Sequence, residues 1–374
     1  MADFDPGLVK ESFAQVMAAG PEVSEYFYAR LFATHPETRA LFPMTMSAQR
    51  DRMLAALTEL VWSLDAVPGC SELLGRLGRE HRKFGVTTRH YTAFFDALID
   101  TARHYIGVGW QPDVEAAWQG ATSYMSAVMR AAADADAATS PPWWIAEIVE
   151  HELRSPGVAV LRLAPSQPLP YQAGQYVHVQ VTRWPRVWRR FSVANAPRPG
   201  GIIELHVRAV PGGLVSNSLV HHSFEGDAVL LGSAAGDMTL AGSDRDLLCV
   251  AGGTGLAPIK AVIEQAVAES QLTGKQRKIT LFFGARQHFD LYDLQDLQLL
   301  EAACPSLRVI PVLSDEPGWA GSSGLLPDVV HAYGLTAFED TEAYICGPAA
   351  MVSQTAALIA AAVPPGQIHH DPLA

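Results

Sequence analysis

Residues 247–258 read LLCVAGGTGLAP, an apolar run that passes without a break into a glycine-rich turn. A helical pattern of apolar residues follows directly, from Ala257 to Glu269. A short continuous apolar run predicts a strand buried on both faces, and a strand, a turn and a helix in succession predict one unit of a parallel sheet. Further apolar runs lie downstream, at 279–283, 309–313 and 343–345. Residues 243–374 are therefore predicted to form a doubly wound α/β domain with a parallel sheet.

The turn has the composition of a phosphate-binding loop. Gly252, Gly253 and Gly255 carry no Cβ, so the backbone around Thr254 can approach a pyrophosphate closely. The helix that follows presents the positive end of its dipole, and Pro258 is tolerated in a first helical turn. A dinucleotide is therefore expected here, although the glycine spacing differs from the GxGxxG fingerprint.

Upstream of the α/β region the chain changes to short segments that alternate apolar and polar residues. Three valines of the segment 176–181 share one face, and the segment 203–209 alternates in the same way. Turn signals such as Arg-Pro-Gly-Gly at 198–201 lie between these segments. Period-two alternation with frequent turns predicts an antiparallel β-barrel domain, which we assign to residues 139–242.

The first 130 residues read as helices instead, because apolar residues recur three and four positions apart. Residues 131–142 consist mostly of alanine, aspartate and a final proline pair, so they are predicted to end a helix and begin a linker. The prediction is thus a multidomain chain: an all-α domain over 1–138, the antiparallel barrel and the α/β domain.

Composition excludes several classes of function. The net charge of −12 over 374 residues argues against a partner as acidic as nucleic acid. No apolar run reaches the roughly 18–20 residues that span a bilayer. The four cysteines are scattered without a CxxC pair, which is typical of reduced thiols in a cytoplasmic protein. Nothing in the sequence indicates an obligate protein partner.

A histidine near the end of a helical segment is the first candidate metal ligand. His81 lies on an apolar helical stripe that stops at Gly85, as a helix with a C-terminal glycine does. Taken alone, such a histidine is more often a core or surface residue than an iron ligand. Its neighbours favour the ligand, because Tyr91 begins the next helix and Phe42 ends a helical segment about forty residues upstream.

The segment from Gly20 to Phe42 and the segment from His81 to Tyr91 resemble the flavohaemoglobin and bacterial haemoglobin family. The resemblance implies a globin fold with b-type haem, since no CxxCH motif is present for covalent attachment. It also implies that His81 is the proximal iron ligand and that Phe42 packs on the haem.

The same resemblance implies a distal side to the haem pocket. Tyr28 would hydrogen-bond a dioxygen ligand, Gln49 would assist it through an alignment with a short gap, and Met53 would wall the pocket one turn later. On the proximal side Tyr91 would brace the histidine. The family adds a glutamate to that brace, but the matching position here is Ala133, and Glu80 replaces the lysine that usually precedes the histidine. A weaker electron donation to iron is therefore expected.

Motifs after residue 170 follow the order found in the ferredoxin–NAD(P) reductase superfamily and resemble it. They are Gly174-Gln175-Tyr176, Arg189-Arg190-Phe191-Ser192, Gly212–Ser216, Gly252–Pro258, Phe283–Arg286 and Cys346-Gly347-Pro348. The resemblance implies that Arg189 meets a flavin phosphate, that Phe191 stacks on the isoalloxazine ring, and that Ser192 hydrogen-bonds near flavin N5.

It further implies that Tyr176 belongs to the FAD site and that Gly213, Val215 and Ser216 grip the FAD pyrophosphate. Cys346, Gly347 and Pro348 would lie near the nicotinamide. Arg286 alone does not decide between NADH and NADPH. The segment 368–373 keeps the acidic residue of the family near the flavin and lacks its aromatic residue.

Taken together, these resemblances imply an NAD(P)H-dependent flavohaemoprotein that converts nitric oxide and dioxygen to nitrate. In such a protein electrons pass from NAD(P)H to FAD and then singly to haem. Two alternatives stay open. One is an oxidoreductase that acts on an alkyl hydroperoxide or an organic donor, and the other is a redox or gas sensor whose globin gates the reductase.

Overall fold

The computed structural model describes residues 4–316 and 318–371, so Pro372 and Leu373 of the predicted C-terminal segment lie outside the described residues. The chain divides into two compact units, residues 1–143 and 144–374. The predicted three-domain boundaries, at 138/139 and 242/243, stay a prediction. Within the described residues, no helix is both long and apolar enough to cross a membrane.

The first unit is helical. Its helices are α1 (Pro6–Met17), α2 (Glu22–Thr34), α3 (Ser47–Trp62), α4 (Val67–His81), α5 (Thr88–Ile106) and α6 (Pro112–Ala137). Helix α4 ends in a short 3-10 turn and then Gly85, whose φ of 73° is left-handed. Thr87 and His90 form a capping box that starts α5. The segment from the 3-10 turn to the capping box therefore reverses the chain between α4 and α5.

Helices α4 and α6 approach each other closely at Gly78. A Cβ on Gly78 would lie 2.1 Å from the carbonyl oxygen of Met129. One turn earlier, a Cβ on Gly75 would meet nothing nearer than 3.5 Å. The missing side chain at Gly78 therefore sets how near α4, which carries His81, can come to α6.

The second unit begins with an antiparallel sheet. Its elements are β1 (Trp144–Ser155), β2 (Val158–Pro165), β3 (Tyr176–Val181), β4 (Arg189–Ser192), β5 (Ile203–Arg208), α7 (Leu214–His221) and β6 (Ala228–Leu231). The strands lie in the order β4-β3-β6-β1-β2-β5. The Ala194 N–H donates to the Glu204 carbonyl at 2.8 Å, and a bridge joins Val193 to Leu205. These contacts bring β4 back to β5 and nearly close the barrel that the alternation predicts.

The rest of this unit is an α/β lobe. Its elements are β7 (Asp246–Gly252), α8 (Leu256–Thr273), β8 (Ile279–Ala285), α9 (Leu294–Ala303), β9 (Leu307–Leu313), β10 (Ser322–Ser323), α10 (Leu326–Tyr333), β11 (Thr341–Cys346), α11 (Ala349–Ile359) and β12 (Ile368–His369). The strands are parallel, in the order β10-β9-β8-β7-β11-β12. The fold class predicted from the sequence is confirmed: a globin-like helical domain, a barrel and a doubly wound sheet.

Both faces of β5 are buried, although its alternating pattern is typical of a half-exposed strand. Glu204 is 2 % exposed and His206 is 4 % exposed. Lys260 of α8 lies over this face, and its Nζ is 2.8 Å from Glu204 Oε1 and 3.1 Å from Asp293 Oδ2. His206 contacts Tyr292 Oη at 2.8 Å through Nδ1. The barrel and the α/β lobe therefore meet at a buried charged cluster, Glu204–Lys260–Asp293.

Candidate functional site

His81, the last residue of α4, has one ring nitrogen engaged and one available. Its Nδ1 donates to the Leu77 carbonyl oxygen at 2.6 Å, so Nε2 keeps its lone pair. In the part of the chain that the structure describes, nothing hydrogen-bonds to Nε2. Burial lowers the pKa of His81, which favours the neutral ring. A neutral imidazole whose other N–H is held by a backbone carbonyl is the usual state of a metal-binding histidine.

Tyr28 and Gln49 are brought together from different helices. The Gln49 Nε2 on α3 donates to the Tyr28 Oη on α2 at 3.3 Å. Tyr28 is 2 % exposed, and burial raises the pKa of Tyr28 to about 12, while the Gln49 hydrogen bond opposes that rise. The hydroxyl therefore stays protonated at neutral pH, accepts from Gln49 and has its own proton to donate onward.

Aromatic rings surround that hydroxyl-bearing side chain. The Tyr28 ring centroid lies 5.3 Å from that of Phe42 and 5.7 Å from that of Phe32. Met53 is buried and borders a small apolar cavity that Phe27 and Trp118 also line. The structure thus brings Phe42 to the Tyr28–Gln49 pair, and it places Met53 against the apolar core one turn along α3.

Tyr91 lies near His81 without a direct bond between them. Their ring centroids are 6.5 Å apart, and among the described residues the Tyr91 hydroxyl has no hydrogen-bond partner. Burial raises the pKa of Tyr91 to about 12, and the nearby negative charge of Asp134 adds to the rise. Ala133, at the position that the sequence matched to a glutamate, offers no acceptor. Within the described residues, the acid whose charge acts on Tyr91 is Asp134, one residue later on α6.

In the barrel, strand register decides which motif residues share a face. Tyr176 pairs with Ser192, and His178 pairs with Arg190. Side chains alternate along a strand, so Arg190 and Ser192 face one way while the other two residues of β4 face the other. A cavity of about 140 Å³ is lined by Tyr176, Arg190, Ser192 and Asp371. It gathers the predicted flavin residues Tyr176 and Ser192.

The remaining two motif residues of β4 lie elsewhere. Phe191 packs, partly buried, against the barrel core, and the Arg189 Nη1 donates to the Trp188 carbonyl at 2.9 Å. Arg190 was not singled out by the motif match. The alternation of side chains along the strand would have identified it, because Arg190 and Ser192 are two residues apart and therefore share a face.

The glycine turn after β5 opens helix α7. Gly213 precedes the helix, Val215 is fully buried, and the Ser216 Oγ accepts from the Val210 N–H at 3.4 Å. The first N–H groups of a helix have no partner within it, so this end is suited to an anion. The three predicted residues are therefore grouped at one helix start.

The predicted nicotinamide residues meet at the carboxyl ends of two neighbouring strands. Gly252, Gly253, Thr254 and Gly255 follow β7, and Cys346, Gly347 and Pro348 follow β11. Strands β7 and β11 pair directly, and the strand order reverses between them. A crevice at such a switch point is where doubly wound sheets bind ligands.

Gly255 allows that meeting. A Cβ on Gly255 would lie 2.4 Å from the Cys346 carbonyl oxygen, so only glycine fits. Pro258 is buried in the first turn of α8. Burial raises the pKa of Cys346 to about 12, so its thiol is protonated. Arg286 is exposed directly after β8 and takes no part in the contact between Gly255 and Cys346.

One cation near the glycine turn was missed by sequence reasoning. The Arg208 Nη2, on the last residue of β5, is 3.6 Å from the position that a Gly253 Cβ would take. It lies 3.9 Å from Asp290 Oδ1. The sequence could have indicated Arg208 as a candidate binding residue, because it lies at a strand end just before the Gly212-Gly213 turn. A guanidinium here adds positive charge to the predicted phosphate-binding turn.

Three family models match the chain in succession. They are a globin model over residues 25–129, an oxidoreductase FAD-binding domain over 146–239 and an oxidoreductase NAD-binding domain over 249–357. The electron transfer component of xylene/toluene monooxygenase of Pseudomonas putida is 36 % identical over 199 residues, which are 52 % of this chain and 55 % of that protein. The chain spans little more than half the length of the first curated relatives it matches.

Two similar proteins extend over nearly the whole chain. A flavohemoprotein of Deinococcus radiodurans is 28 % identical over 378 residues, which are 94 % of this chain and 91 % of that protein. The structure of a flavohemoglobin from Malassezia yamatoensis with bound FAD and haem has a TM-score of 0.79 at 15 % identity, and the match covers 98 % of this chain and 97 % of that one. The chain therefore has the domain composition of the flavohaemoglobins to which it is similar, in which a globin domain precedes FAD-binding and NAD-binding oxidoreductase domains.

Proposed function

We propose that the protein is an NAD(P)H-dependent nitric oxide dioxygenase, which converts nitric oxide, dioxygen and one electron to nitrate. The observation that carries the proposal is the hydrogen-bonded Tyr28–Gln49 pair, which presents a buried, protonated hydroxyl among aromatic side chains. Such a donor stabilises a small ligand that acquires negative charge. All four cysteines are free, which fits a cytoplasmic location.

Residues at each site fit the group that the proposal requires. The free Nε2 of His81 suits haem iron, and Phe42 offers an apolar surface for a porphyrin. Tyr176 and Ser192 suit the flavin ring, while the start of α7 at Gly213 suits its pyrophosphate. The turn at Gly252–Gly255, with Arg208 beside it, suits the pyrophosphate of NADH or NADPH.

Each group would supply chemistry that side chains lack: FAD takes up two electrons from a nicotinamide and releases them singly, and haem iron binds diatomic gases. The chain's own residues do the rest. The Tyr28 hydroxyl would donate a hydrogen bond to the ligand, and the Gln49 side chain holds that hydroxyl in place. Leu77 fixes the ring orientation of His81. The aromatic side chains exclude water from the hydroxyl, which strengthens its hydrogen bond.

The experiment that tests the proposal measures nitric oxide consumption, nitrate formation and NAD(P)H oxidation together, under air, with the purified holoprotein. One NAD(P)H supplies two electrons, so two nitrates should form for each NAD(P)H oxidised. NAD(P)H oxidation without nitrate would contradict the proposal.

A second candidate, reduction of alkyl hydroperoxides, has one observation in its disfavour and one in its favour. The carboxylate brace expected beside the proximal histidine is missing at Ala133, which argues for weak electron donation to iron. Asp134 nevertheless places a negative charge near Tyr91. Adding an alkyl hydroperoxide in place of nitric oxide to the same assay separates the candidates. A third candidate, a sensor, would consume neither substrate at a useful rate.

A further inference from the structure

The cavity of the barrel carries one charged side chain that no motif assigns. Arg190 lines it together with Tyr176, Ser192 and Asp371. The guanidinium carbon of Arg190 lies 5.4 Å from the centroid of the Tyr176 ring, which places the cation over that ring. Tyr176 and Ser192 are residues predicted for the flavin site, so Arg190 brings a permanent positive charge to it.

The position of Arg190 follows from the strand rather than from a flexible loop. It pairs with His178 in the β3–β4 ladder, and Ser192 pairs with Tyr176 two residues along. The side chains of Arg190 and Ser192 must therefore point to the same face of the sheet. The neighbouring Arg189 must leave it on the opposite face, and it bonds to the Trp188 carbonyl. The two arginines of the motif thus lie on opposite faces of the strand.

The other ionisable groups around the cavity do not cancel this charge. Asp371 lines the same cavity, and burial raises its pKa, an effect that Arg190 opposes and Asp237 reinforces. His370 follows on the same segment, and His178 lies opposite on β3. A guanidinium stays charged at every accessible pH, whereas burial works against ionisation of the carboxyl.

We propose that Arg190 stabilises the negative charge that FAD acquires when it is reduced, and thereby raises the reduction potential of the flavin. The inference rests on the proposed binding of FAD in this cavity. A hydride from NAD(P)H brings two electrons and one proton, so the nicotinamide leaves as NAD(P)⁺ and the reduced flavin gains one negative charge. A cation held over the Tyr176 ring favours that charged product over the neutral oxidised form.

The test is a reductive titration of the FAD-loaded protein against a reference dye, in which the reduction potential is read directly. Arg190→Gln should lower the ratio of reduced to oxidised FAD about tenfold at a given potential, which is about 30 mV for a two-electron couple. Arg190→Lys keeps the charge and should stay near the wild-type potential. Arg183→Gln is the matched control, since Arg183 is exposed after β3 and its loss changes the net charge equally.

Two further measurements keep the inference falsifiable if Arg190→Gln loses FAD. Asp371→Asn removes the opposing acid and should shift the potential upward or leave it, but never downward. In the wild type, the pH dependence of the potential should correspond to one proton taken up per two electrons. Equal potentials in Arg190→Gln and Arg183→Gln, a downward shift in Asp371→Asn, or two protons per two electrons would overturn it. Failure of the wild type to bind FAD would instead contradict the proposed function.

Discussion

At the scale of single residues, the Tyr28 hydroxyl has the sharpest consequence. It is buried, holds its proton and is positioned by Gln49. A hydrogen bond to a partly negative ligand contributes about 1.5–3 kcal/mol. Tyr28→Phe should therefore speed dioxygen dissociation from the reduced protein by roughly ten- to a hundredfold. Stopped-flow mixing with carbon monoxide measures that rate.

Two comparisons make this result specific. Carbon monoxide carries less charge on its outer atom, so its own dissociation should change less. Tyr26→Phe, on the same helix, is the matched control, because the Tyr26 ring stacks on His104 at 4.2 Å and away from Gln49. Equal acceleration for both gases would indicate a collapsed pocket rather than a lost hydrogen bond.

The second residue-scale prediction concerns His81. Its Nε2 is the available ligand atom, so His81→Ala should lower haem content at least about fivefold. FAD content and NAD(P)H-dependent dye reduction should persist, because the helical unit and the reductase unit have separate cores. Pyridine-haem and flavin absorbance measure the two contents. His104→Ala is the control, and a parallel loss of flavin in His81→Ala would show that the units depend on each other.

At the scale of elements, the close approach of α4 to α6 makes a prediction from two glycines on one helix. Gly78→Ala would force its Cβ to within 2.1 Å of the Met129 carbonyl oxygen, so the helices must separate. Overpacking of this kind costs about 1–3 kcal/mol. Gly75→Ala meets only ordinary contacts and should stabilise the helix by up to about 1 kcal/mol. Thermal unfolding of the two variants, followed by loss of haem absorbance, should give midpoints that move in opposite directions.

At the scale of the whole reductase unit, the Glu204–Lys260–Asp293 cluster joins the barrel to the α/β lobe. Burial alone would raise the pKa of Glu204, but the His206 hydrogen bond and the Lys260 charge hold it well below its usual range. Because that pKa is depressed, its contribution to stability is present above the unfolded value and is lost only as the pH falls through the folded one. Glu204 and Lys260 are therefore both ionised at neutral pH.

Lys260→Met would remove the buried cation that Glu204 and Asp293 share, and would leave them only the arginines at their edges, Arg162 and Arg154. Removing one partner from a buried ion pair costs about 3–5 kcal/mol, and Lys260 is only 8 % exposed. Lys275→Met is the matched control, since solvent screens the exposed Lys275–Asp244 pair and leaves it little effect on stability. Urea unfolding monitored by flavin fluorescence gives both values. A loss in Lys260→Met no larger than in Lys275→Met would show that the cluster is not stabilising.

Much of this architecture could be predicted from the sequence, because patterns of neighbouring residues determine its strands, turns and helices. The run LLCVAGGTGLAP predicts its strand, turn and helix, and the structure has them as β7, a short turn and α8. The burial of Glu204 could not be predicted, because its cover comes from Lys260 and Asp293, far away in the chain. Arg208 was missed for the same reason, since its neighbour Gly253 belongs to another element. Residue roles at the sites remain predictions for the experiments above.

The buried charges on β5 also decide how the reductase can be used as a building block. A barrel cut out by itself would expose Glu204 and His206 without Lys260, and a free α/β lobe would carry Lys260 and Asp293 without Glu204. Protein engineers who graft this oxidoreductase unit onto an oxygenase would therefore have to transplant residues 144–371 as one piece. Shuffling its halves with those of a homologue would require all three partners of the cluster to travel together.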